Sequence, residues 1–444
     1  MKSDPDSKAS SISVASERTG GDIGAPELVG QTNSGGVPLP VRERAEAAFA
    51  IRDYQEGERL FIEAIAEEKR RVPADRRTVV LLLVRAAESA LAYANSGAAI
   101  GHLTEAEALS DISEHPLEWS KINHILALAL RDTGDYEAAE RLLRQVVDLR
   151  SRHLSPESSE TLSSRTALGN VLRRQGKLDA AEQEHTCVLS IRERVLGADD
   201  PETMKSQHNL ISVLIDRDEL ERAEGLMRDL INSRDRVLGP DHPDTLSSRN
   251  TMAIILKDQG RFEDSIRELS ALVRDMERVH QSNGHHHVLS ARLNLADTRR
   301  MRGASLLLQG KEAEARTEFE AAREEFEALH GLRLRLSGVD HAETATVLQG
   351  WGVLLEAMGS LRDAEIKYRE ALRIRRERLP SLHRERLRAH YLLAGVLCAL
   401  KSWDDAEEHA KIALTGAQEL LGSDHSDTKA YSKRAQQIAS ERNH

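Results

Sequence analysis

The sequence predicts an all-α chain, an array of stacked helical hairpins. Three observations lead there. Gly176, Asp218 and Gly260 stand 42 residues apart, as do Thr161, Thr203 and Thr245, and Arg150, Arg192 and Arg234. Apolar residues keep helical spacing almost continuously from Val41 toward the C-terminus. No stretch alternates with period two through β-branched residues, so no strand is expected. A fixed period of this size marks one supersecondary unit repeated side by side, each unit burying its apolar surface against its neighbours.

Residues 1–40 are rich in Ser, Gly and Asp and lack apolar periodicity, which predicts a disordered tail. Residues 41–118 carry two loosely marked repeats, the first through Tyr54, Phe61 and Ala64. Residues 119–284 hold the regular repeats. In these, Ser155-Pro156-Glu157 and Asp200-Pro201-Glu202 each read as a helix start, with a cap, a proline at the first helical position and an acid after it, and His242-Pro243-Asp244 keeps the proline and the acid. The first helix then ends at a position such as Gly176, where the chain can turn left-handed. A second helix ends at Leu196-Gly197 and Leu238-Gly239. Two helices of about 18 residues and short turns fill the period, so consecutive helices run antiparallel.

Small residues recur where two helices approach, at Ala127, Gly169, Ala253, Gly352 and Ala394 on first helices. On second helices they are Ala139, Ala181, Ala223, Ser265, Ala315, Ala364 and Ala406. Tyr136, Leu178, Leu220, Phe262, Leu361 and Trp403 fill one equivalent larger position. The period then slips. Gly260 to Gly310 spans 50 residues and Gly310 to Gly359 spans 49, which places insertions near 297–304 and 326–337. Each is about two helical turns, so residues 285–338 are expected to form an elongated hairpin. Residues 339–423 resume the repeats, and 424–444 supply a capping helix and tail. The count is about eight hairpins.

Small beside large at these offsets, with the linker Asp235-Arg236-Val237-Leu238-Gly239-Pro240-Asp241-His242-Pro243-Asp244-Thr245-Leu246, resembles the 42-residue tetratricopeptide class of kinesin light chains and nephrocystin-3. Ile191-Arg192-Glu193-Arg194-Val195-Leu196-Gly197 repeats the resemblance one period earlier. It extends over about 119–279 and returns over 338–372. It implies a right-handed α-solenoid whose first helices line a concave, peptide-binding face. Kinesin light chains carry heptads ahead of their repeats, and residues 1–40 have none, so motor attachment is not expected.

Composition narrows the function. The formal net charge is -11 and aromatics make up 3%, which argues against a nucleic-acid partner. Cys187 and Cys398 provide neither a disulfide framework nor a metal spacing. No apolar run reaches the roughly 20 residues of a membrane span, and no apolar signal core precedes the repeats, so a cytoplasmic protein is expected. There is no phosphate loop, nucleophile elbow or zinc helix, and the chain is expected to be non-enzymatic with no cofactor. Adjacent His285, His286 and His287 cannot all face one ion, so no metal site is expected. Asp241-His242, Asp340-His341 and Asp424-His425 share one linker position, which points to a recurrent helix entry rather than to a catalytic dyad.

Mapped onto the resemblance, the inward positions are Lys121, His124, Arg131, Thr166, Asn170, Arg173, Lys205, His208, Ser212, Asn250 and Lys257, with Arg174 beside them. Amides suit a peptide backbone and guanidinium groups suit carboxylates, so the expected ligand is an extended acidic segment. Two alternatives stay open: a regulator of a signalling enzyme acting through the elongated hairpin, and a hydrolase or transferase carried on the array.

Overall fold

The structure is a computed structural model that describes residues 39–71, 73–93, 95–282, 284–338 and 341–442. Nearly all of the tail expected at residues 1–40, and Asp340 of the second Asp-His pair, lie outside the described residues. Among the described residues there are nineteen helices and no strand. The chain divides into two compact units, with the boundary between Val188 and Leu189.

The N-terminal unit contains α1 (Val41–Ala50), α2 (Tyr54–Arg70), α3 (Arg76–Ala92), α4 (Ser96–Leu109), α5 (Pro116–Thr133), α6 (Tyr136–His153), α7 (Ser159–Arg174) and the start of α8 (Leu178–Leu196). Phe61, Leu83, Leu103 and Ile122 are almost fully buried in its core. The C-terminal unit continues with α9 (Pro201–Asp216), α10 (Leu220–Leu238), α11 (Pro243–Asp258), α12 (Phe262–His280), α13 (His286–Leu308) and α14 (Glu312–Ser337). It ends with α15 (Ala342–Ala357), α16 (Leu361–Arg378), α17 (Arg384–Ala399), α18 (Trp403–Leu421) and α19 (Ser426–Arg442). Taken two by two, α1 to α18 make nine consecutive pairs, against about eight reckoned from the sequence.

The turns explain the period. The second residue after α7, α9, α11 and α17 is left-handed, with φ of 75° at Gly176, 66° at Asp218, 77° at Gly260 and 60° at Lys401. The helix starts carry a correction. Asp200 and His242 do cap α9 and α11, with Pro201 and Pro243 opening those helices, but Ser155 does not cap α7. Ser158 does, its hydroxyl accepting from the Thr161 amide at 3.2 Å, while Ser155 accepts from Glu157 within the preceding turn. The reason is register, since Ser158 stands 42 residues before Asp200, whereas Pro156 belongs to the linker.

The recurring histidines are caps as well. Nδ1 of His242, His341, His383 and His425 accepts from the backbone amide two residues on, at 3.1, 3.3, 3.2 and 3.1 Å. An imidazole can do this only while that nitrogen is unprotonated. The recurring threonines clip the linker to the next helix. Thr161, Thr245 and Thr344 donate to the carbonyls of Ser155, Gly239 and Gly338 at 2.8, 2.9 and 3.1 Å.

The recurring arginines form a buried staple. Nη1 of Arg150, Arg192 and Arg234 donates to the carbonyls of Glu160, Glu202 and Asp244 at 2.9, 3.0 and 2.8 Å. The same nitrogens reach the hydroxyls of Ser164, Ser206 and Ser248 at 2.8, 2.9 and 2.6 Å. A second helix is thereby tied to the first turn of the next pair. Where the period slips, α13 has 23 residues and α14 has 26, against 16 in α11 and 19 in α12.

Candidate peptide-binding face

The twelve candidate residues lie on α5, α7, α9 and α11, the first helices of four successive pairs, and each unit presents its own set. In the N-terminal unit Lys121 is exposed, with Nζ 3.9 Å from Glu88 Oε1. His124 Nδ1 lies 3.3 Å from the Ser164 hydroxyl. Burial, with Arg150 and Arg131 nearby, lowers His124 to about 4, so its imidazole is neutral at physiological pH. Arg131 is paired with Asp132 at 2.8 Å. The Thr166 hydroxyl returns to the Leu162 carbonyl at 2.9 Å, an intrahelical bond.

Asn170, Arg173 and Arg174 are half-buried one turn further along α7. The Asn170 amide makes no side-chain hydrogen bond among the described residues. A half-buried primary amide with unused donors and acceptor is suited to a peptide backbone.

In the C-terminal unit Lys205 pairs with Glu202 at 3.0 Å. His208 is engaged from two sides, by Arg234 Nη1 at 3.3 Å and the Thr251 hydroxyl at 3.3 Å. The Ser212 hydroxyl donates to the His208 carbonyl at 3.1 Å. Asn250 Oδ1 accepts from Asn294 Nδ2 at 3.0 Å, which brings α13 into the same face. Asn294 stands 44 residues after Asn250, off the 42-residue register that marked the other candidates.

Lys257 needs a correction. It is 2% exposed, and its ammonium sits 3.2 Å from Asp297 Oδ2 and 3.8 Å from Asp258 Oδ1. Arg300 and Lys257 together hold the Asp297 carboxyl far below the ordinary carboxylate range despite its burial. A lysine enclosed this way holds α11 to α13 and is not offered to a ligand.

Of the three adjacent histidines, His285 stacks on His280 and the others lie tilted beside it. The His280 and His285 ring centroids lie 3.6 Å apart and those of His286 and His287 4.0 Å apart. Stacked rings direct their nitrogens side by side, and no group of His, Cys, Asp and Glu among the described residues is arranged to hold a metal ion. Among the described residues no helix is long and apolar enough to cross a membrane. Cys187 and Cys398 are free thiols.

This geometry of paired helices, left-handed corners and small-to-large contacts agrees with the sequence comparison, in which the tetratricopeptide repeat family matches residues 120–194 and 202–274, and again 392–427. The chain carries tetratricopeptide repeats. No curated protein matches the chain. Among solved structures, the nearly identical TPR-like repeats of a Podosopora anserina kinesin light chain are 21% identical to it. They cover 50% of this chain and 97% of that one, with a TM-score of 0.40. The apo quorum sensor NprR of B. thuringiensis is 12% identical and covers 75% of this chain and 86% of its own, with a TM-score of 0.53. At that identity the likeness establishes the fold alone. A tetratricopeptide array is a protein-interaction scaffold, whose partners are proteins or peptides.

Proposed function

We propose that this chain is a non-enzymatic scaffold that receives an extended acidic segment of a partner along the faces of its first helices. The observation that carries the reading is Asn170, half-buried and without a side-chain partner, beside Arg173 and Arg174 on a face where bases and amides outnumber acids. An extended peptide leaves its own backbone groups unsatisfied, and an amide of this kind satisfies a donor and an acceptor together. Guanidinium groups alongside favour carboxylates on the peptide. Asn250 and Asn294 extend the same chemistry on the C-terminal unit. Lys121, Arg131 and Lys205 have acidic neighbours and contribute by exchanging them for the partner's carboxylates.

The test is recovery of partners by affinity capture with the wild type and with Asn170→Glu/Arg173→Glu. Loss of an acidic partner with the variant supports the reading, and unchanged recovery overturns it. A second reading, regulation of another protein through the α13–α14 hairpin, is favoured by Leu308 at the hairpin tip. Leu308 is 92% exposed, with Leu307 beside it at 43%. Leu308→Asp separates the two, because it leaves the α7 face untouched.

A further inference from the structure

Three hairpins of this array are closed by one polar contact at a fixed place. Arg165 Nε meets Glu184 at 2.9 Å, Arg249 Nε meets Glu268 at 2.7 Å and Arg299 Nη1 meets Glu318 at 3.3 Å, each pair 19 residues apart. The first member stands 11 residues before the left-handed corner at Gly176, Gly260 or Gly310. Counting back from the corner at Lys401, the same place on α17 holds His390, and its partner on α18 is His409. Their Nδ1 atoms are 2.9 Å apart and their ring centroids 4.9 Å apart. His390 is 2% exposed and His409 8%. One hairpin therefore replaces an arginine–glutamate pair with two imidazoles that share a proton.

The surroundings disfavour a charge. Arg369 and Arg376 on α16 and Arg386 on α17 face the pair, against Asp405 and Glu408 on α18. Arg369 is engaged by Glu365 at 2.8 Å and by Asp405 at 3.3 Å, and Arg386 donates to the Leu379 carbonyl at 3.2 Å. No titratable group of α19 faces either ring among the described residues. A 2.9 Å contact between two Nδ1 atoms requires a proton on one and a lone pair on the other. A first added proton goes to the far nitrogen of the donor ring and creates a cation beside Arg376. A second removes the accepting lone pair and sets two imidazolium ions against each other.

We propose that His390 and His409 form a proton-operated clasp, which closes hairpin α17–α18 at neutral pH and opens it on acidification while the arginine–glutamate clasps of other hairpins hold. Burial lowers both histidines, His390 to about 3. Folded values below the unfolded value of about 6.5 mean that the clasp is at full strength above that pH and weakens as pH falls. At pH 5, an imidazole that takes its proton only when the hairpin is open favours opening about 30-fold.

Amide hydrogen exchange on the full chain at neutral pH and at about pH 5 tests this, with rates corrected for the intrinsic pH dependence of exchange. The readout is protection of α17–α18 relative to α11–α12, which carries the Arg249–Glu268 pair. In the wild type the ratio is expected to fall about 30-fold or more on acidification. In His390→Arg/His409→Glu, which restores the ion pair, it is expected to stay level. A wild-type ratio that does not change, or an equal fall in the double variant, overturns the proposal. If that variant does not fold, His390→Gln/His409→Gln takes its place, and a full acid-dependent fall there overturns it too.

Discussion

Arg234→Ala is the most direct challenge to the staple that links successive pairs. Arg234 is 2% exposed and its guanidinium donates to the Asp244 carbonyl at 2.8 Å, the Ser248 hydroxyl at 2.6 Å and the Met204 carbonyl at 3.2 Å. Truncation takes a second donor from two helix carbonyls, which keep their amides four residues on, and the guanidinium donor from the Ser248 hydroxyl, each loss costing about 0.5–1.5 kcal/mol, less whatever water can restore. Relief of the arginine's own desolvation, visible in its lowered pKa, offsets part of this. A net loss of about 1–3 kcal/mol follows. Because an array sums local terms, the loss should be confined to α9, α10 and α11. Urea denaturation followed by circular dichroism gives the size, and hydrogen exchange gives the location. Arg234→Met separates the causes, since it refills the space without supplying a donor. If Met restores stability to within about 1 kcal/mol of wild type, the residue is a space filler and the hydrogen-bond argument fails. Ser248→Ala, which removes one acceptor only, should cost about 1 kcal/mol.

Other consequences are equally open to measurement. Gly352→Ala should destabilise by about 1–3 kcal/mol, because a Cβ there would stand 2.5 Å from Tyr368 Cε1; an unchanged melting temperature would show that the ring yields. Lys401→Gly should stabilise by about 1 kcal/mol, since Lys401 adopts a φ of 60° that glycine reaches without strain. Equilibrium unfolding decides this, and any loss of stability refutes it. Acid should weaken the N-terminal unit through His124 and His185, both lowered to about 4 by burial, with Arg150 and Arg173 respectively as the chief charged neighbours. Their folded values are depressed, so their contribution is complete above about pH 6.5 and is lost as pH falls toward 4, about 2 kcal/mol each at pH 5. Thermal melts across that range should show the decline, and a flat profile would exclude it.

Much of the scaffold was legible in the chain. Helix starts at Asp200 and His242, corners at Gly176 and Gly260, and the lengthened α13 and α14 all follow from local rules of capping, chirality and rise per residue. The error at Ser155 came from the same rules, because Pro156 imitates the Pro201 and Pro243 signal three positions too early. The candidate face was less legible. Asn170 was recognised by position, but Lys257 shares that pattern and is buried against Asp297, while Asn294 stands 44 residues after Asn250, off the 42-residue register. Neither pairing has a counterpart at one-period spacing.

By itself the sequence determined the repeat, the turns and the alternation of small and large contacts, because these depend on residues close in the chain and recur with its period. Only the tertiary structure decided which polar groups are enclosed. Arg234 becomes a staple, Lys257 a tie and His390 a partner of His409 through residues 10 to 40 positions away. Burial multiplies the energy of such contacts, and burial is a property of the packed neighbours rather than of the residue itself.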